Sequence, residues 1–270
     1  MIVEQLHPGV SARNASVCLF DFDGTISLIR SGWMDVMIPM MVEILADVAK
    51  GESVDQLRAG IEERVARLTG KQTIYQMIEL ADQVRGYGGQ PLDPLEYKRA
   101  YLERLHRKIR HRLDELAQGG SPEKYLVPGA RAFLEALRAR GLKLYLASGT
   151  DQEFMRREAR LLDVDRYFDG GVHGAVDDYR TFSKKILIQR IIASAECRGD
   201  QFLCFGDGYV EIQNVKEVGG VAVGVATDEP ACQTVDEWKR RRLTGVGADF
   251  IIPNFLCQDS LLASLFPNGQ

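Results

Sequence analysis

Cysteine is scarce and shows no metal-binding or disulfide pattern. Five residues (Cys18, Cys197, Cys204, Cys232, Cys257) are scattered through 270 positions without CxxC spacing. An odd count in a chain this long fits a reducing cytoplasm better than a disulfide framework. Long apolar runs are also missing. The longest, Trp33 to Leu45, is interrupted by Asp35, Pro39 and Glu43, which makes it too short and too broken to cross a bilayer. Met1 to Ser16 carries Glu4 and His7 and has no basic start leading into an apolar run, so no signal peptide is expected. The expectation is a soluble, cytoplasmic protein without a membrane partner. Neither sign of charge dominates. A formal net charge of -4 gives no general reason to expect nucleic-acid binding.

What is present is an ordinary globular composition, 45% hydrophobic and 27% charged, long enough for one large domain or a core with an insert. Short apolar runs at Ser16–Phe20, Leu142–Ala147, Gln201–Phe205, Val221–Val225 and Ala248–Ile252 read as buried strands. Amphipathic stretches at Asp151–Leu162 and Lys184–Ala195 alternate with them, the second with Ser183 as N-cap. Strands alternating with helices imply a parallel sheet covered on both faces. Between about Ser31 and Lys124 the pattern is helical throughout: Met34–Ala49, Val54–Leu68, Thr73–Arg85 and Pro94–Ala117. A helical block inside an α/β pattern predicts an inserted domain, hinged near Arg30 and Pro128.

In open parallel sheets, ligands bind beyond the carboxyl ends of the strands. Three such ends carry chemistry. Asp21-Phe22-Asp23-Gly24-Thr25 follows the first strand, Ser148-Gly149-Thr150 the second, and Gly206-Asp207-Gly208 the third, with Glu211 one turn on. Lys184 and Lys185 open the helix between the last two. Each alone is commonplace: an Asp after a strand is often a cap, and a Ser-Gly pair is often only a loop. Together they suit phosphoryl transfer. Asp21 and Asp207 offer hard oxygens for magnesium, Ser148 and Gly149 offer donors to phosphate oxygens, and a lysine adds positive charge where negative charge accumulates. One carboxylate can act as nucleophile and another as proton donor.

These motifs resemble those of the haloacid dehalogenase (HAD) superfamily. DFDGT resembles its first motif, Ser148 and Gly149 its second, Lys184 its third and GDGYVE its fourth, in the same order. The resemblance implies an α/β fold in which a Rossmann-like parallel sheet core, residues 1–30 and 125–270, carries an inserted all-helical cap domain, residues 31–124. It implies that Asp21 is the nucleophile of an aspartyl-phosphate intermediate. Asp23 is then the general acid/base, with its backbone carbonyl on magnesium. Ser148 and Lys184 hold the phosphate together with Gly24, Thr25 and Gly149, and Asp207 binds the metal. Lys184 is preferred to Lys185 because it directly follows the N-cap. Family members that dehalogenate lack the second aspartate, and the ATP-driven pumps carry DKTGT. The chain therefore resembles the phosphatase branch, of the phosphoglycolate phosphatase and beta-phosphoglucomutase kind.

The implied activity is magnesium-dependent hydrolysis of a small phosphorylated metabolite, a sugar phosphate or phosphoglycolate-like ester. A closing cap disfavours protein or nucleic-acid substrates. A phosphomutase uses the same residues, although family mutases often read DGV where Thr25 stands. A non-catalytic binding module would be expected to have lost Asp21, Asp23, Lys184 or Asp207, and all four are present. The fourth motif usually ends in Asp; here Glu211 takes that position, leaving open whether it meets the metal directly or through water. Lys71, in Gly70-Lys71-Gln72-Thr73, either contacts the non-phosphate end of the substrate or belongs to an ordinary helix cap. Trp33, Met34, Met37, Met40 and Met41 read as cap core, with an apolar substrate pocket as the alternative. Lys98 to Arg112, with seven Lys/Arg against Glu103, reads as a solvated face, as does Lys239 to Arg242. His173, near Asp177 and Asp178, lacks ligand spacing and reads as a loop residue. The oligomeric state, monomer or homodimer, stays open.

Overall fold

The structure, a computed structural model, describes residues 3–176, 178–195 and 197–267. The core elements in chain order are β1 (Glu4–Gln5), β2 (Val17–Phe20), then, after the insert, α5 (Ala130–Ala139), β3 (Lys143–Asp151), α6 (Gln152–Leu161), β4 (Gly171–Ala175), α7 (Lys184–Ala195), β5 (Phe202–Gly206), α8 (Tyr209–Glu217), β6 (Val221–Val225), α9 (Glu237–Gly245), β7 (Phe250–Ile252) and α10 (Gln258–Leu265). The insert consists of α1 (Met34–Ala46), α2 (Val54–Leu68), α3 (Thr73–Gly86) and α4 (Pro94–Ala117). The strands form one sheet in the order β1-β7-β6-β5-β2-β3-β4. All neighbours are parallel except β1, which runs antiparallel to β7.

The sheet is buried on both faces, and side-chain alternation sorts its residues between two cores. Cys18 and Phe20 of β2 join residues of α5, α6 and α10, whereas Val17 and Leu19 join those of α7, α8 and α9. Four aromatic rings lie beneath the strand ends. Phe20 stacks on Phe205 with centroids 4.8 Å apart, and Phe133 on Phe255 at 5.0 Å. The cluster fixes β2 against β5, the pair of strands that carries Asp21 and Asp207.

The helical insert is cored by Met37, Met40, Met41, Leu57, Ile61, Met77 and Leu80. Its ends are locally encoded: Ser53 and Gln56 form a reciprocal capping box on α2, and Asp93 caps α4 with Pro94 at the first helical position. The basic run Lys98–Arg112 is only in part a solvated face. Lys98 is buried and pairs with Asp151 of the core at 2.5 Å, and Arg112 donates to the carbonyls of Leu28, Ile29 and Ser31 in the hinge. All four acceptors lie far away in sequence, so periodicity cannot reveal them.

Two strands have no counterpart in the sequence pattern. β1 is too short to show a period, and β4, Gly-Val-His-Gly-Ala, has too few apolar residues. His173 therefore sits in an edge strand rather than a loop, while Asp177 lies outside the described residues. β3 runs past Ala147 to Asp151 with a register irregularity. No helix among the described residues is long and apolar enough to cross a membrane.

Truncating the aromatic cluster tests its weight. Phe205→Ala is expected to cost about 3–5 kcal/mol of stability in urea unfolding. A loss under about 1 kcal/mol would show that the rings do not secure the strand pair.

Candidate active site

Strand register alone brings the first and fourth motifs together. Phe20 is paired with Leu146 on one side and Phe205 on the other, so the chain leaves β2 at Asp21 with Ser148 and Asp207 flanking it. The Asp21 N–H donates to the Phe205 carbonyl at 2.9 Å. The backbone then turns sharply at Gly24, whose φ is +77°. A Cβ there would stand 2.2 Å from Asp207 Oδ2, so only glycine permits this approach. Thr25 was expected to contact phosphate, but it is fully buried and does not line the cavity. Its hydroxyl accepts the Asp207 N–H at 3.0 Å, tying the first motif to the fourth.

Lys184 sits 4% exposed at the start of α7, held there by the Ser183 N-cap, whose Oγ accepts the Ile186 N–H. Its ammonium donates to Asp21 Oδ1 at 2.5 Å and to Glu211 Oε2 at 2.7 Å. Glu211 is wholly buried, and its Oε1 accepts the Gly208 N–H at 2.9 Å. Burial pushes the carboxyls of Asp21 and Glu211 above their ordinary range despite the attraction of Lys184. Burial opposes the Lys184 charge, but the two carboxylates outweigh it and hold the amine protonated.

Lys239 differs from its expected solvated place. It is mostly buried, reaching Asp207 Oδ2 at 3.0 Å and Glu229 Oε1 at 2.8 Å. Its acceptors lie 32 and 10 residues back along the chain, which the local charge run does not disclose. Four carboxyl groups therefore bond to only two ammoniums, so acidic groups outnumber their directly bonded cations. Carboxylate oxygens of Asp21, Asp207 and Glu211 lie within 4.8 Å of one another. That acidic excess and that set of hard donors fit a divalent cation.

Asp23 faces the cavity from the other side. Its Oδ2 accepts from the hydroxyls of Ser148 at 2.9 Å and Thr150 at 2.8 Å. Its Oδ1 is buried with no hydrogen-bond partner among the described residues. The Ser148 Oγ also accepts the Thr150 N–H, so this hydroxyl is engaged with protein on both sides.

The insert closes the site. A cavity of about 100 Å³ opens between Asp21, Asp23, Ser148, Lys184 and Asp207 below and Trp33, Met37, Lys71, Gln76 and Tyr101 above. Trp33 and Met37 thus line the pocket, while Met40 and Met41 are core. The second motif is pressed against the insert: a Cβ on Gly149 would stand 2.6 Å from the Lys71 carbonyl oxygen. Beside it, buried Gln72 donates from Nε2 to the carbonyls of Phe182 at 2.6 Å and Tyr179 at 3.2 Å, just ahead of Lys184. Around the cavity, Glu229 had no sequence reading, Arg30 was read only as a hinge, Lys239 only as part of a solvated face, and Thr150 and Gln72 only as members of their motifs. Thr150, two positions beyond Ser148, and Gln72, beside Lys71, are the two that left a local signal.

Fold and site together define an α/β enzyme with a carboxylate, a buried lysine and an acidic cluster at one sheet end under a helical lid. A family model for haloacid dehalogenase-like hydrolases matches residues 15–219, and the chain belongs to that family. Its fold is that of solved relatives of low identity. A predicted phosphoglycolate phosphatase from Haemophilus somnus is 15% identical, with a TM-score of 0.59 over 92% of this chain and 98% of that one. A phosphonoacetaldehyde hydrolase-like protein from Oleispira antarctica is 15% identical, with a TM-score of 0.62 over 99% and 100%. A candidate beta-phosphoglucomutase from Thermotoga maritima is 17% identical, with a TM-score of 0.53 over 91% and 98%. No curated protein matches the chain in sequence.

Lys184→Met would leave Asp21 and Glu211 buried without their cation. A stability loss of about 3 kcal/mol is expected. Carboxyls whose folded pKa lies above the unfolded one stabilise below the unfolded pKa and lose that contribution as pH rises through the folded one. The deficit should therefore be larger at pH 8 than at pH 5 in denaturant titrations. A deficit independent of pH would show that the carboxylates do not depend on Lys184.

Proposed function

We propose that the chain is a magnesium-dependent phosphatase acting on a small phosphorylated metabolite through Asp21. The observation that carries this reading is the meeting of Asp21, Asp23, Lys184 and Asp207 around one cavity beneath the helical insert. In this reading Asp21, Asp207 and Glu211 hold the ion, joined by the Asp23 backbone carbonyl as family resemblance implies. When bound, magnesium supplies positive charge that offsets the phosphate.

Asp21 has one oxygen on Lys184, which aims the other at phosphorus. Its attack forms the aspartyl-phosphate as the bond from phosphorus to the ester oxygen breaks. Asp23 gives that oxygen a proton from Oδ1, the oxygen that no protein donor occupies. Asp23 then takes a proton from the water that hydrolyses the aspartyl-phosphate, releasing phosphate and restoring both groups. Lys184 stays protonated and offsets charge on the phosphoryl oxygens. Gly149 keeps backbone near those oxygens accessible, and Lys71 meets the leaving group from the insert.

The small cavity supports a metabolite rather than a polymer, and the likeness to a predicted phosphoglycolate phosphatase supports a sugar phosphate or phosphoglycolate-like ester. Five free, buried thiols support a reducing compartment, the cytoplasm.

Hydrolysis of p-nitrophenyl phosphate should require magnesium and stop in excess chelator. Asp21→Asn should lower kcat by roughly 10⁴-fold or more, and Asp23→Asn by about 10²–10⁴-fold. Full activity of Asp21→Asn would refute the nucleophile. Sugar-phosphate isomerisation exceeding phosphate release, with a bisphosphate primer present, would make the enzyme a mutase instead.

A further inference from the structure

Arg30 stands where the chain leaves the core for the insert, yet its guanidinium turns inward. It is 8% exposed and lines the catalytic cavity. Nε and Nη2 donate to the two carboxylate oxygens of buried Glu158 at 3.0 and 2.7 Å. The Phe154 ring lies 5.7 Å from its Cζ. A carboxylate on one edge and a ring on one face fix the plane of the group. Nη1 makes no hydrogen bond to any described residue. Nε also stands 3.8 Å from Asp23 Oδ1, too far to bond, and that oxygen is itself buried without a partner. A buried cation and a buried acceptor thus face each other across the cavity wall without satisfying each other.

We propose that Arg30 is a specificity-determining residue that binds a carboxylate on the substrate's leaving group, close to the ester oxygen. The inference rests on the phosphatase reading and narrows it to phosphate esters of small hydroxy acids. The geometry sets the spacing. Asp23 must touch the ester oxygen to protonate it, so a group that Arg30 can reach lies only a few bonds from that oxygen. The chemistry sets the class. The outer edge of a guanidinium offers parallel N–H donors that match a carboxylate in two-point fashion. A neutral polyol there would leave a desolvated cationic donor imperfectly paired. Lys71, lining the same cavity, adds a second cation from the insert.

The test compares phosphoglycolate with 2-hydroxyethyl phosphate, similar in length but without the carboxylate. Wild-type enzyme with magnesium should prefer phosphoglycolate by ~30-fold in kcat/KM, mostly through KM. In Arg30→Met the preference should fall to within about threefold of unity, and Arg30→Lys should retain part of it. Calorimetric Kd values for the two compounds on Asp21→Asn protein should show the same preference without turnover. Equal handling of both compounds by wild type, or an equal loss on both in Arg30→Met, would overturn the proposal and leave Arg30 a hinge ion pair. If Arg30→Met does not fold, the wild-type ratio and Arg30→Lys decide. If wild type hydrolyses no ester at all, the phosphatase reading fails separately, and the binding preference still judges Arg30.

Discussion

The ammonium of Lys184 lies out of reach of bulk water between the carboxylates of Asp21 and Glu211. Neither acid is in a position to remain charged alone, because burial drives both towards the neutral form. The lysine is equally unable to keep its proton there without them. Three groups from three different elements therefore share one buried site, where the lysine offsets part of the cost of burying the acids and the acids keep the lysine protonated. That cluster links the start of α7, the first turn of α8 and the end of β2. Glu211 adds a mechanical link, since its other oxygen holds the Gly208 N–H at the entry to α8. The longer acid thus spans from the motif backbone to Lys184 while its carboxylate stays beside Asp21 and Asp207.

The same logic of offset charge extends outward. Lys239 takes up part of the negative charge on Asp207 and Glu229, Arg30 is matched by Glu158, and Lys98 by Asp151. Buried pairs of this kind contribute little net stability, because desolvation consumes most of the attraction. Their value lies in geometry: each pair holds its side chains in one orientation, and two of the paired groups, Arg30 and Asp207, line the cavity. Asp23 Oδ1 is the exception. It is the buried acid oxygen left unmatched among the described residues, apart from amide oxygens of Gln72 and Gln258. A group that must exchange a proton with a substrate cannot have that oxygen already engaged.

The insert belongs to the site as much as the sheet does. Gly149 and Lys71 meet backbone against side chain space, and Gln72 bonds the segment that leads into Lys184. Seating the insert therefore bears directly on the loop presenting the lysine. The long basic helix α4 contributes near both its ends: Lys98 in its second turn reaches the core, and Arg112 near its C-terminus gathers three hinge carbonyls. A row of cations that looks like a solvated face is in part what fastens the two bodies together.

The alternation of apolar strands and amphipathic helices determined the parallel sheet, and the helical block after DFDGT determined the insert; both are properties of local periodicity. Asp21, Asp23, Ser148, Lys184 and Asp207 were legible because each sits just past a recognisable strand or at a helix start, where position along the chain already implies position in space. β1 and β4 were not legible, since two residues or a glycine-rich five carry no period. Thr25 was assigned by motif, but which way its hydroxyl points depends on the Asp207 loop packed against it. Arg30, Gln72, Lys239 and Glu158 owe their roles to partners that sit between 10 and 128 residues away. Sequence patterns report on neighbours within a turn or a strand. Pairing a buried charge across the fold depends on which surfaces meet, and that was decided only when the sheet twisted and the insert closed over it.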